Sequence, residues 1–251
     1  IYEPSTHQFH AEGLYSEEIF GKISSPERMR MFGYISLRTK ILSPKIFELV
    51  KQLGSLYIGI MSGKAYAIFD EVVKDFVSAD PDVDDTAETG FSFFMSRFKD
   101  INFKRTASNR RDIAVETVDQ YKSSGSIISE YLVIPAGMRD IKTDSSGRTI
   151  QDDINPLYRS LLMYARSIPT GSASPLYDTV SWQLQSNVYE IYEYLKNVVT
   201  GKRGYIQGSY TRIKVAFGTR NVISASTMTA TTAYPPQMLT TREIGVGAFP
   251  Y

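Results

Sequence analysis

From Leu176 to Val198 apolar residues recur at spacings of four and three, through Val180, Leu184, Val188, Ile191 and Leu195. That is the period of an α-helix with one apolar stripe, which faces a partner helix over about six turns. The nearest candidate runs from Asn155-Pro156 to about Ser167. A breaker-rich tip from Pro169 to Pro175 follows it, in which Ser174 and Pro175 form an N-cap and first-turn pair for the longer helix. The two segments predict a helical hairpin. The rest of the chain can support it, because 251 residues with 42% hydrophobic content suffice for one or two domains with a core.

Shorter elements precede the hairpin. Residues 34–42, YISLRTKIL, alternate as a strand does, and Ser43-Pro44 opens a helix to about Leu53, which Gly54 ends. Tyr57 to Ile60 and Lys64 to Val73 are rich in β-branched and aromatic residues around Ser62-Gly63, the pattern of a hairpin. Ser108 is placed to cap a helix over about 109–122, and EYLVIP at 130–135 reads as a strand. The polar stretch that follows, centred on Ser145-Ser146-Gly147, predicts a mobile loop. Beyond Thr200, IKVAF and NVIS read as strands.

Charge and cysteine narrow the function. Lys and Arg number 28 against 27 Asp and Glu, so contact with a polyanion has to come from local clustering. Cysteine is absent, which excludes disulfides, thiol nucleophiles and thiolate zinc sites and suits a reducing compartment. No run approaches the roughly 18 apolar residues of a membrane span. The chain opens on Ile1 without a signal pattern, as expected of a processed, trimmed or partly ordered chain.

Several constellations that could carry chemistry fail on their surroundings. Asp80, Asp82 and Asp84 have a magnesium-chelating spacing, but Pro81, Asp85, Glu88 and the lack of a flanking core strand favour a hydrated loop. An EF-hand is excluded by Asp85 and Phe91 at positions that need Gly and Glu. His7 and His10 could share a helical face but have no visible third ligand. Gly63-Lys64 and Gly201-Lys202 lack the glycine spacing and the following hydroxyl of a phosphate loop. What survives is basic. Arg97, Lys99, Lys104, Arg105, Arg110 and Arg111 stand against Asp100 alone, a pattern that on a helix is usually a solvated face. Lys202, Arg203, Arg212, Lys214 and Arg220 occur with no acid between 201 and 225. They are interleaved with glycines and with Tyr205, Tyr210 and Phe217, which suits phosphate contact and base stacking.

The order of phrases resembles the N-terminal part of the largest, beta-prime-like subunit of multisubunit DNA-directed RNA polymerases. GLYSEEIFG is similar to the family's opening Gly-Leu-Phe…Ile-Phe-Gly, and ERMRMFGYISL to its Arg-rich Gly-His-Ile-Glu-Leu phrase. The zinc ribbon that lies between them in cellular enzymes is replaced by KISSP, in agreement with the lack of cysteine. EYLVIPAGMRD resembles the Leu-Pro-Val-Pro-Pro…Leu-Arg-Pro strand, and SSGRTIQDDINPLYRSLL the lid loop and its following helix. GKRGYIQGSYTRIKVAFGTRNVISA resembles the second switch and first barrel strands, with Lys214 on the Arg of Lys-Arg-Val and Arg220 before Val-Ile. REIGVG at 242–247 resembles an archaeal and nuclear phrase. Tyr205-Ile206-Gln207 departs from Arg-Phe-Arg, and the rudder is almost absent, as in the split polymerases of giant bacteriophages.

The resemblance implies an α+β fold with four parts. These are a clamp base without zinc ribbon at 1–135, a lid at 136–154, a protruding clamp coiled-coil hairpin at 155–200, and at 201–251 the second switch and start of a double-psi β-barrel. It implies that Lys202, Arg203, Arg212, Lys214 and Arg220 grip phosphates of template DNA and the RNA–DNA hybrid, and that Arg139, Lys142 and Arg148 belong to the lid. The family's catalytic Asp-rich loop is not present, so this chain holds no metal and magnesium is expected on a partner segment. Partners would be the other polymerase subunits and a promoter-specificity subunit at the coiled coil, with no membrane, in host cytoplasm or packaged in a virion. The competing class is a non-catalytic nucleic-acid-binding or virion structural protein with the same fold.

Overall fold

A computed structural model describes residues 2–3, 8–143, 145–169 and 175–213. Strands β1 (Tyr2–Glu3) and β2 (Gln8–Phe9) pair antiparallel ahead of helix α1 (Glu17–Phe20), whose cap Ser16 accepts the Ile19 N–H at 3.3 Å. A 3-10 turn at Pro26–Met29 leads into β3 (Gly33–Leu42). As the alternation predicts, Ile35, Leu37 and Ile41 are buried and Tyr34, Ser36, Arg38 and Lys40 face out. Helix α2 (Pro44–Leu53) begins at the predicted Pro and buries Ile46, Phe47, Val50 and Leu53.

The predicted hairpin around Ser62-Gly63 is displaced. Residues 55–61 form helix α3 (Ser55–Met61), because Tyr57, Ile60 and Met61 fall on one face at helical spacing and all three are buried. Gly63, at φ +73°, lets the chain leave that helix, and the Gly59 carbonyl accepts the Lys64 and Ala65 N–H groups. The hairpin is built from β4 (Ala67–Asp70) and β5 (Asp75–Ser78) instead. Its turn has no glycine. Asp70 Oδ1 accepts the Val72 and Val73 N–H groups at 2.8 and 3.0 Å, and Lys74 takes the left-handed conformation at φ +56°.

Helix α4 (Phe91–Arg97) adds Phe94 to an aromatic cluster in which Phe76 stacks on Phe94 at 5.7 Å and Tyr57 meets Phe103 edge-on at 5.3 Å. The Tyr57 hydroxyl donates to buried Asp75 at 2.9 Å. Helix α5 (Asn109–Lys122) packs on α2 through Ala114, Val115 and Val118. Strand β6 (Ile127–Val133) pairs antiparallel with β3, and the register breaks between Ser36 and Ile41, where Arg38 sits at φ +57°. After a second 3-10 turn, Ala136–Met138, the expected lid is a small hairpin, β7 (Lys142–Thr143) and β8 (Thr149–Ile150).

Helices α6 (Ile154–Ser167) and α7 (Pro175–Val199) match the two predicted arms, but α7 does not protrude as one side of a free coiled coil. Leu184, Val188 and Ile191 are fully buried in the same core as β3 and α2. Phe47 meets Trp182 at 6.0 Å and Tyr189 at 5.2 Å, and Tyr177 hydrogen-bonds Thr39. The stripe finds its cover in α2 and β3, where the Phe47 ring and the Leu42 backbone meet α7 directly. Gln185, also fully buried, accepts the Leu42 N–H at 2.8 Å and donates to the Leu42 carbonyl at 3.1 Å, completing the open edge of β3. Only the ends of the stripe, Leu176 and Val198, are exposed.

The fold is therefore mixed α+β, with four two-stranded antiparallel pairs among the described residues. The chain divides into two compact units, Ile1–Lys196 and Asn197–Tyr251, so the expected parts up to 196 share one unit. Among the described residues no helix is long and apolar enough to cross a membrane.

Helix α7 is also tied to α2 electrostatically. Lys196 Nζ donates to Glu48 Oε1 at 2.8 Å, and Lys45 reaches Glu48 Oε2 at 2.9 Å. Burial alone would raise the Glu48 pKa, but the two ammonium groups outweigh it and hold the carboxyl below its ordinary value. A lowered folded-state pKa adds stability above the unfolded value of about 4.3, and that stability is lost as pH falls through the folded value. Urea titrations of wild type and Glu48→Gln should thus differ most at neutral pH and converge in acid. A gap that stays constant from neutral pH into acid would contradict this account.

Candidate nucleic-acid interface

The basic run begins where α7 ends. Gly201, at φ +83°, turns the chain, and the Gly204 N–H closes the turn on the Gly201 carbonyl at 3.1 Å. Gly204 has no room for a side chain, since a Cβ there would collide with the Thr200 carbonyl oxygen. Helix α8 (Tyr205–Gly208), a single turn where no helix was expected, follows, and then a 3-10 turn at Tyr210–Arg212. Lys202 and Arg203 are exposed on the glycine-bounded turn and have no ion-pair partner among the described residues. Tyr205 and Tyr210 are each 68% exposed, a cost in apolar hydration that stacked bases would relieve. Cations, open rings and exposed backbone on one short segment suit a sequence-independent contact with a phosphodiester chain. Arg212 closes the 3-10 turn. Lys214, Arg220 and the strands expected at IKVAF and NVIS lie outside the described residues, as does the region assigned to the barrel.

The residues grouped with the lid separate. Arg148 is exposed beside Gly147, which takes φ +77° in the turn of the β7–β8 hairpin, and Lys142 opens β7. Arg139, grouped with these two in the sequence, lies ahead of the hairpin and is 1% exposed. Its Nε donates to the Ile134 carbonyl at 3.0 Å, Nη1 to Asn155 Oδ1 at 3.1 Å and Nη2 to the Leu14 carbonyl at 2.7 Å. The guanidinium also lies 5.0 Å from the Phe20 ring centre and 5.5 Å from those of Tyr15 and Tyr158. Asn155 returns a bond from Nδ2 to the Arg139 carbonyl at 2.8 Å. Next to it, buried Arg28 forms a two-pronged pair with Asp140, Nε to Oδ2 at 2.9 Å and Nη2 to Oδ1 at 2.8 Å, and donates to the Gly21 carbonyl at 3.0 Å. Burial lowers the Arg139 pKa, but surrounding oxygens and rings keep the cation solvated without water.

No family model and no curated protein matches this chain. Its chemistry has to be read from the side chains themselves. The acidic loop at 79–89 is a set of turns, in which Asp80 Oδ1 accepts the Asp82 N–H at 3.0 Å and Asp84 Oδ1 accepts the Thr86 N–H at 2.9 Å. Among the described residues no cluster of His, Cys, Asp and Glu could hold a metal ion. His10 is exposed, and its Nδ1 accepts the Glu12 N–H, while His7 lies outside the described residues. In the earlier basic stretch Arg97 pairs with Glu71 at 3.0 Å, and Arg111 donates to the Lys104 and Leu53 carbonyls, so two of those cations hold the fold. Sequence reasoning missed the Arg28–Arg139 pair. The signal was available in the Met-Arg-Asp phrase, where an arginine and an acid adjoin the end of a core strand.

Proposed function

We propose that the chain is the clamp, lid and second-switch portion of a beta-prime-like subunit of a multisubunit DNA-directed RNA polymerase of the reduced kind. One observation carries the reading. The phrases that make the resemblance, GLYSEEIFG, ERMRMF, AGMRD and INPLYRS, are separated in sequence yet meet on the buried Arg28–Arg139 pair through Leu14, Gly21, Asp140, Asn155 and Tyr158. Residues that have to interlock are those a fold holds fixed, which gives the ordered phrases a common physical cause.

In the assembled enzyme this chain supplies grip and separation. Lys202, Arg203, Arg212, Lys214 and Arg220 neutralise phosphates of template and hybrid, and the β7–β8 hairpin with Arg148 acts as the wedge between RNA and template. The clamp fold, the barrel start and docking of a promoter-specificity subunit near the α6–α7 connection belong to the same proposal. Nucleotide addition itself falls to a partner segment that holds magnesium.

The test is assembly followed by elongation. The tagged chain should copurify with subunits that carry an Asp-rich catalytic loop. On a preformed RNA–DNA scaffold, Lys214→Ala and Arg220→Ala should each slow elongation about tenfold without loss of assembly, the scale of one strong phosphate contact. Unaltered elongation in both variants refutes the switch assignment, and a chain that purifies alone and binds no nucleic acid refutes the whole reading.

A further inference from the structure

We propose that the first compact unit binds a small amphipathic anion, an apolar body carrying one carboxylate or phosphate, in the cavity between residues 10–15 and α6. The cavity is a half-open cleft of about 870 Å³, within the range of sites for cofactor-sized or drug-sized molecules. Leu14, Leu162 and Met163 give it an apolar wall, and Met163 stays 56% exposed despite lying on a core-facing helix. Such a wall is poorly matched to a polar, polyanionic strand but well matched to an aliphatic or aromatic body.

The polar groups on the same wall select charge. Arg159 and Arg166 both line the cavity. They stand seven residues apart on α6, so they share one face at about 10 Å along the axis. Arg159 gives one Nη2 bond to Gln151 at 3.0 Å, and neither arginine has an ion-pair partner among the described residues. Glu12 is the carboxylate on the wall, and it is outnumbered. His10 also lines the cavity, and its Nδ1 accepts the Glu12 N–H.

Tyr15 also lines the cavity and is 8% exposed, with its hydroxyl buried away from a ligand there.

Calorimetric titration of the full chain tests the idea with dodecanoate, dodecyl phosphate, dodecanol and dodecyltrimethylammonium. The anions should bind with one-to-one saturation at least about tenfold more tightly than the alcohol, as a charge-assisted contact requires. The cation should not bind, and the tighter of the two anions identifies the head group. Arg159→Ala with Arg166→Ala should remove the tenfold advantage and leave dodecanol binding unchanged. Leu162→Trp should fill the space and block all ligands. Equal affinity for all four probes, anion binding that survives loss of both arginines, or no binding at all would overturn the proposal.

Discussion

Arg139→Met will destabilise the first unit by about 3–5 kcal/mol, enough to leave many preparations unfolded. The methionine fills most of the volume but donates nothing. The Leu14 and Ile134 carbonyls and Asn155 Oδ1 then lose their donor inside a core where water cannot replace it. Three aromatic rings lose the cation they surround. Replacing buried ions by apolar residues is sometimes neutral, but only when the opposing groups go as well, and here the two main-chain carbonyls and Asn155 Oδ1 all stay. Arg139→Lys should recover part of the loss, since an ammonium group can satisfy some of the acceptors but not span all three. Urea unfolding is the measurement, and an Arg139→Met midpoint close to wild type would mean that the guanidinium is a passenger.

Gln185→Ala should cost about 2–4 kcal/mol, because it strips both partners from the buried N–H and carbonyl of Leu42 and leaves a hole in the core. Gln185→Glu separates the two contributions. An ionised glutamate can accept from the N–H but cannot donate to the carbonyl, whereas the protonated acid can do both. Burial raises the folded-state pKa of such a group above its unfolded value. The variant is therefore most stable in acid, below the unfolded pKa, and loses stability as pH rises through the raised folded value. Its urea midpoint should approach wild type near pH 4 and fall toward that of Gln185→Ala at pH 8. A flat difference across that range would show that the two bonds to Leu42 matter less than the shape of the side chain.

Local rules made much of the scaffold readable. The alternation of 34–42 marks β3, Ser43-Pro44 marks the start of α2, and Asn155 to Ser167 marks α6 within a residue. What failed was arbitration between periods. Tyr57 to Ile60 is too short an apolar run to distinguish strand from helix, and the distant residues that bury it, Asp75, Phe94 and Phe103, decide in favour of helix. The β4–β5 turn escaped because Asp70 and a left-handed Lys74 perform the work that glycine usually signals. At the candidate interface, the exposure of Lys202 and Arg203 follows from the glycines around them. The burial of Arg139 does not follow from its neighbours, because its acceptors come from Leu14 and Asn155.

The tying of Arg28 to Asp140, 112 positions apart, and of Leu42 to Gln185, 143 positions apart, has a consequence for synthesis on the ribosome. The early segments emerge with their bonding partners still unmade, so the α1 end and the open edge of β3 must wait for more than a hundred further residues before they can settle. Long loops have to close before these contacts return any free energy, which makes maturation slow and the nascent N-terminal half a natural client for chaperones.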